Sequence, residues 1–292
     1  LSAPSRAARD AAPDWRRFFA RRFWRLYPPY LAAIGVAIAL LWPANGALPV
    51  PWIAVAAQAF LVHTFHPATF DGLNPPAWTL AVEAQLYLAY PIVYALVARF
   101  GAWRALAVIF AITLAYRLFL NTDPLPAGFG GLAWELFVAR WFEWVLGVVV
   151  AEWAVGRIEL PRIVFSPALA AAVLALGLWL EWHTWHWGLY VAKEPFDGIA
   201  FVLVLCVALG RESRRGAGTS PIGRYLAGVG VYSYSLYLLH RPIQLAFEPL
   251  AREVARWPVV VERGLPTSLA IMLATTPLVL WASRLFYRWC EL

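Results

Sequence analysis

The chain has 292 residues, of which 62% are hydrophobic and only 14% charged, with 17 Trp and a net charge of +7. A soluble domain runs near ~45–50% apolar and ~25% charged, so this composition excludes a water-soluble globule and makes lipid the solvent for much of the surface. The basic residues lie between apolar runs rather than on one solvated face, which argues against a nucleic-acid partner and follows the positive-inside rule instead.

Residues 1–13, small and basic with Pro4 and Pro13, read as a flexible lead-in. Asp14 is placed to cap an interfacial arginine-rich helix over 14–27. There Arg16, Arg17, Arg21, Arg22 and Arg25 interleave with Trp15, Phe18, Phe19, Phe23 and Trp24, so the aromatics can face lipid and the guanidinium groups water and phosphate. Apolar runs follow near 26–42, 50–66, 77–98, 103–120, 133–153, 166–187, 196–210, 225–247 and 264–286. The spacing predicts an all-α fold, a transmembrane bundle over 28–288, and a single membrane domain over 1–292.

Charge decides which runs cross. Arginine clusters precede the first run, flank Phe100, separate 153 from 166, follow Gly210 and close the chain at Arg284 and Arg288. Placing all of them inside puts both ends in the cytoplasm and requires an even number of crossings. The flanks of 50–66, Pro43 to Pro51 and His66 to Pro76, contain no Lys or Arg. We therefore expect eight crossings in an inner or plasma membrane, with 50–66 a re-entrant or interfacial helix.

An ionisable group in hydrocarbon is a functional candidate by default. Glu83 follows Asn74-Pro75-Pro76-Ala77-Trp78-Thr79, where Asn74 can cap the helix and Pro75 suits its first turn. Thr79, Glu83, Tyr87 and Tyr90 then share one stripe. Glu83 is either an acid–base group or a neutral carboxyl packed as glue between helices. Arg117 and Arg140 are also embedded, and Arg140 can pair with Glu143 three residues on. That pair is structural or binds substrate.

Late in the chain Ser233, Tyr237 and His240 share a face, and His240, near a helix end, is either a satisfied polar residue or a catalyst. His63, His66, His183 and His186 lack the further ligands that a metal site needs, so no metal is expected. Cys206 and Cys290 predict no disulfide. The arginines near the start serve topology and anionic lipid, or clamp a phosphorylated ligand through Arg21, Arg22 and Arg25. Spacing alone leaves the two level.

Four ordered segments carry a resemblance. Phe18 to Tyr30, with Arg21-Arg22-Phe23-Trp24-Arg25-Leu26-Tyr27-Pro28, resembles the arginine signature of the membrane acyltransferase-3 family. Trp78-Thr79-Leu80-Ala81-Val82-Glu83-Ala84-Gln85-Leu86-Tyr87 resembles its Trp-Ser-Leu-x-x-Glu-x-Gln-Phe-Tyr helix, with Thr79 and Leu86 as departures. Arg140-x-x-Glu143 with Gly147 is similar to a later segment. Tyr234-Ser235-Leu236-Tyr237-Leu238-Leu239-His240-Arg241-Pro242 is similar to the late motif, and Phe286 to Glu291 to the domain's close.

The resemblance implies an integral membrane O-acyltransferase. It would move an acyl group, commonly acetyl, from cytoplasmic acyl-CoA as co-substrate to a hydroxyl of a cell-surface glycan, lipopolysaccharide or macrolide-type acceptor, with no bound cofactor. It favours Arg21, Arg22 and Arg25 for the donor phosphates. It implies that Glu83 orients or charge-balances a general base beside the acceptor hydroxyl. On the residues themselves Glu83 and His240 are the catalytic candidates, and Arg140, Glu143, Tyr87 and Tyr237 the candidate substrate contacts. Family members open with two further helices, the first bearing an arginine and the histidine assigned to catalysis. Those helices are not in this sequence, and neither His63 nor His240 occupies that motif, so a chain lacking the family's catalytic start is expected. The competing readings are a transporter or channel subunit for an anionic or glycolipid substrate, which would show broken helices and inverted repeats, and a purely structural subunit.

Overall fold

The computed structural model describes residues 13–123, 125–126, 128–187, 190–215, 221–254 and 267–292. The first twelve residues of the expected lead-in therefore lie outside the described residues, as do the side chains of His183 and His186. Among the described residues the chain is all-α, with no strand. The long helices are α1 (Trp15–Asn45), α3 (Trp78–Phe100), α4 (Ala102–Leu120), α6 (Pro167–Trp187), α7 (Tyr190–Arg215), α9 (Ser233–Val254) and α10 (Thr267–Cys290). Shorter helices are α2 (Trp52–Ala59), α5 (Trp141–Ala154) and α8 (Pro221–Val231). Three segments, Trp15–Trp42, Pro75–Phe100 and Ala102–Leu120, are long and apolar enough to cross a membrane by length and composition. The described residues of the other runs expected to cross lie mostly on helical chain. The protein is a membrane helix bundle.

The chain divides into two compact units, one of Pro13–Ala81 with Ser220–Leu292 and one built on Val82–Thr219. In the first unit, Asp14 caps α1 as expected, its carboxylate accepting from the Arg17 N–H at 3.0 Å. The separate interfacial helix over 14–27 is not formed. One helix of 31 residues runs from Trp15 through Pro28 and Pro29 to Asn45. Prolines remove two hydrogen bonds from a helix, and membrane helices tolerate that where neighbours help to satisfy the freed groups. The helix ends at Gly46, whose φ of 72° is the left-handed stop that glycine allows.

The run 50–66 does not form a single helix long enough to span. Its helix α2 has eight residues, about 12 Å at ~1.5 Å per residue, against a hydrocarbon core of ~30 Å. A Schellman stop ends it: the Leu61 N–H donates to the Gln58 carbonyl at 2.9 Å and the Val62 N–H to the Ala57 carbonyl at 2.9 Å. Leu61 stands at φ 59°, where glycine is usual, so no sequence signal announced the stop. The core of this unit is the α1 stripe Tyr30, Ala33, Ile34, Ala37 and Leu41. It packs with Val55, Leu73, Ala77 and Leu80, with Leu238, Leu239 and Ile243 of α9, and with Val279 and Phe286 of α10.

In the second unit, α4 packs on α5, and α7 packs on α5 and α6. Ala105, Ile109, Thr113 and Arg117 form the buried α4 stripe at intervals of four. The expected helix 133–153 is broken. A short helix Phe129–Trp134 stops, a 3₁₀ turn covers Phe137–Arg140, and α5 begins at Trp141. Backbone groups at a break in hydrocarbon need partners, and side chains supply them. The Gln85 side-chain carbonyl accepts from the Phe137 N–H at 3.2 Å. Tyr116 donates to the Ala133 carbonyl at 3.1 Å, Thr113 to Val138 at 3.1 Å, and Arg117 Nε to Ala139 at 2.8 Å.

Candidate active site

The late motif lies on α9, and its polar side chains reach back through the first unit. Tyr234 donates to the Leu26 carbonyl at 2.8 Å, one residue beyond Arg25. Ser235, fully buried, bonds the carboxylate of Glu291. The Tyr237 hydroxyl donates to the Pro76 carbonyl and meets the Thr79 hydroxyl. The Tyr237 hydroxyl, expected as a substrate contact, thus has two partners within its own unit.

Pro242 lies inside α9. It has no N–H to offer the carbonyl four residues back, and that carbonyl belongs to Leu238, which is 0% exposed. Left unsatisfied, such a group would destabilise the fold by ~1–3 kcal/mol. The Asn74 amide satisfies it, with Nδ2 2.9 Å from the oxygen. Asn74 stands at the expected cap position but makes no capping bond with its side chain, because the amide is turned to α9 instead.

His240 behaves differently from its neighbours. Its Nδ1 lies 2.7 Å from the Tyr237 carbonyl. A carbonyl only accepts, so Nδ1 carries the proton and, in the neutral ring, Nε2 keeps a lone pair. The ring is half-buried.

Near the start of α1, Arg21 and Arg25 are exposed one turn apart, and Arg22 lies over the Phe18 ring at 5.5 Å. No acidic side chain among the described residues pairs with Arg21 or Arg25.

The second unit holds the other expected residues. Tyr87 donates its hydroxyl to Glu83, so the two meet one turn apart on α3 as the stripe predicted. Tyr87 and Tyr90 both set edges against the Trp144 ring, with centroids 6.4 and 5.6 Å apart. Arg140 and Glu143 make no ion pair with each other. Glu143 takes Arg117 at 2.8 Å, while Arg140 bonds Glu135 at 2.9 Å and also Glu194. Lys193 extends the network to Glu181 at 2.6 Å and Asp197 at 3.7 Å.

Arg117 is 0% exposed. Besides Glu143 it holds the Ala139 carbonyl and, through Nη1 at 3.4 Å, the Val191 carbonyl. Val191 lies four residues before Pro195, inside α7, so this carbonyl too has lost its helical partner to a proline.

Sequence reasoning missed Asn74 as a cross-link and did not single out Gln58, Gln85, Glu135 or Glu194. The two prolines were the available signal, since each announces one freed carbonyl four residues earlier.

Residues 8–288 match the family described as an acyltransferase domain. The chain belongs to that family. It is also 27% identical over 245 residues to Acyltransferase MdmB of Streptomyces mycarofaciens, an alignment covering 76% of this chain and 60% of that protein. No solved structure matches the chain. Membership gives the shared motifs a common frame. Arg21–Arg25, Tyr234–Pro242 and Glu291 belong to one unit, while Glu83, Gln85, Arg140 and Glu143 belong to the other.

Proposed function

We propose that this chain is a membrane-embedded O-acyltransferase module. It moves an acyl group, acetyl in the first instance, from cytoplasmic acyl-CoA to a hydroxyl of a cell-surface glycan or similar acceptor. The observation that carries the reading is the match of residues 8–288 to the acyltransferase domain; within this chain the base we assign is His240, whose Nδ1 faces the Tyr237 carbonyl and whose Nε2 then keeps its lone pair. In the transfer, Nε2 accepts the acceptor's hydroxyl proton as the oxygen attacks the thioester carbonyl. The carbon–sulfur bond then breaks and the imidazolium returns the proton to the departing thiolate.

The exposed arginines support a donor rich in phosphate. Arg21 and Arg25 present guanidinium forks one turn apart without acidic partners among the described residues, and such forks suit phosphate oxygens. Glu83, bonded by Tyr87, is assigned a part in the transfer step and Tyr87 a part in holding it. Arg140 and Glu143, engaged with other charges, are assigned to shaping their unit. The broken helix before Trp141 is the one feature that a transporter would share. Its backbone groups are bonded by Gln85, Thr113, Tyr116 and Arg117, which favours a scaffold over a path.

The test uses the full-length protein in native membranes with radiolabelled acetyl-CoA, following label on extracted glycan and lipid. His240→Ala should lower turnover by ~10²-fold or more with donor binding retained. Arg25→Lys should weaken donor binding although the charge is kept. Wild-type turnover in His240→Ala would remove the base from the mechanism, and unchanged donor affinity in both Arg25→Lys and Arg25→Ala would return the arginines to topology alone.

A further inference from the structure

Two prolines stand just beyond the exposed arginines of α1. Arg21 and Arg25 lie one turn apart, and Pro28 and Pro29 follow within the same helix. A proline has no N–H for the carbonyl four residues back, so the carbonyls of Trp24 and Arg25 lack that helical bond. Helices bend at such positions. The direction of the arginine-bearing turns therefore depends on what holds the chain on either side of the prolines.

Tyrosines hold both sides. Beyond the prolines, Tyr30 is 2% exposed, and its hydroxyl donates to the Gln58 carbonyl of α2 at 2.6 Å. Before them, the Leu26 carbonyl, next in the chain to Arg25, accepts the Tyr234 hydroxyl at 2.8 Å across 208 residues. Tyr234 is half-buried in the first turn of α9. The next residue, Ser235, is 0% exposed and bonds the Glu291 carboxylate just past the end of α10. This turn of α9 is thus tied to α10 by one side chain and to the arginine end of α1 by the other, all within the first unit.

We propose that Tyr234 is a positioning residue for the arginine pair. By holding the Leu26 carbonyl against α9, its hydroxyl fixes the direction in which Arg21 and Arg25 present their guanidinium forks to the donor phosphates. Bidentate bonds need both N–H groups aligned on the oxygens, so turning this end of α1 weakens them although both charges remain. The inference rests on the reading of Arg21 and Arg25 as the clamp for the donor, and it requires no particular base.

The test measures acetyl-CoA binding and turnover in the full-length protein and in Tyr234→Phe, which keeps the ring and its packing. The dissociation constant should rise about fivefold or more, with kcat at saturating donor within about twofold. Tyr116→Phe is the control, since it removes a like bond, to the Ala133 carbonyl at 3.1 Å, in the other unit. It should lower the melting temperature by a similar amount and leave donor affinity within about twofold. In an Arg25→Ala background, adding Tyr234→Phe should change affinity by less than about twofold, because the two residues act on one interaction. Parent-like affinity in Tyr234→Phe would overturn the positioning role. So would equal weakening in Tyr116→Phe, or fully multiplying effects in the double variant. Unchanged affinity in Arg25→Ala would instead bring down the clamp reading itself, an outcome separate from any result at Tyr234.

Discussion

Helices α7 and α9 solve the same problem with different chemistry. Each carries a proline that frees a carbonyl four residues back, Val191 in one unit and Leu238 in the other. Arg117 reaches the first at 3.4 Å and Asn74 the second at 2.9 Å. A buried arginine brings a charge that must be balanced, and Glu143 supplies the balance at 2.8 Å. In the same unit, Arg140 with Glu135 and Glu194, and Lys193 with Glu181 and Asp197, also bind opposite charges. An asparagine brings no charge. In its unit Tyr30, Tyr234 and Tyr237 likewise make neutral bonds to backbone carbonyls, and Arg21 and Arg25 stay exposed.

The largest effect should come from breaking the charged solution. Arg117→Met removes the guanidinium from Glu143 and leaves two carbonyls without their donor, and losing one partner of a buried pair costs about 3–5 kcal/mol. Thermal melting in detergent should drop sharply, and Arg117→Met with Glu143→Leu should recover part of the loss. A single variant as stable as the parent would mean that the charges are solvated and the contrast between units is false.

A second effect tests the neutral unit. His63 is 0% exposed, and neither ring nitrogen is hydrogen-bonded. Burial pushes it down from 6.5 to about 4, an effect that the nearby Ala57 backbone offsets only in part. The unfolded chain takes up the proton first as pH falls, so stability from the neutral ring is fully present above pH ~6.5 and is lost between there and pH ~4. The loss should reach about 3 kcal/mol. Melting across that window should fall in the parent and flatten in His63→Leu. An equally steep fall in the variant would assign the acid sensitivity to other groups.

One glycine in each unit gives a smaller, matched comparison. A Cβ at Gly198 would lie 2.6 Å from Glu143 Cγ, and one at Gly72 would lie 2.7 Å from Gln58 Oε1. Alanine at either site should lower stability by about 1–3 kcal/mol. Gly198→Ala should cost more, because it presses on a carboxylate held by Arg117. The reverse order in melting experiments would make the glutamine the more rigid of the two.

The smallest effect is expected at Leu61. Its left-handed backbone costs a non-glycine residue ~1–2 kcal/mol, but its side chain also packs against the first unit's core. Leu61→Gly should therefore change stability by no more than about 1 kcal/mol. A large loss would show that packing, not the turn, sets the end of α2.

Much of the site was legible in order but not in partnership. Glu83 and Tyr87 meet because a spacing of four on one helix makes them meet. Arg140 and Glu143 have an equally favourable spacing and do not pair, because Glu135 and Glu194 reach Arg140 and Arg117 reaches Glu143. Periodicity describes one helix and is silent about its neighbours. For the same reason Asn74 read as a cap: its local position suits one, and only α9 offered the carbonyl that turned it away.

The sequence by itself determined the solvent, the all-α class, the helical runs, the cap at Asp14 and the family motifs. These depend on composition and on contacts within a few residues. Tertiary structure alone decided that α1 runs on through two prolines, that α2 stops at a left-handed leucine, and that the run at 133–153 breaks. Each of these turns on where a buried backbone group finds its partner. In hydrocarbon that partner must come from the protein, often from far along the chain, as Asn74 does for Leu238 across 164 residues.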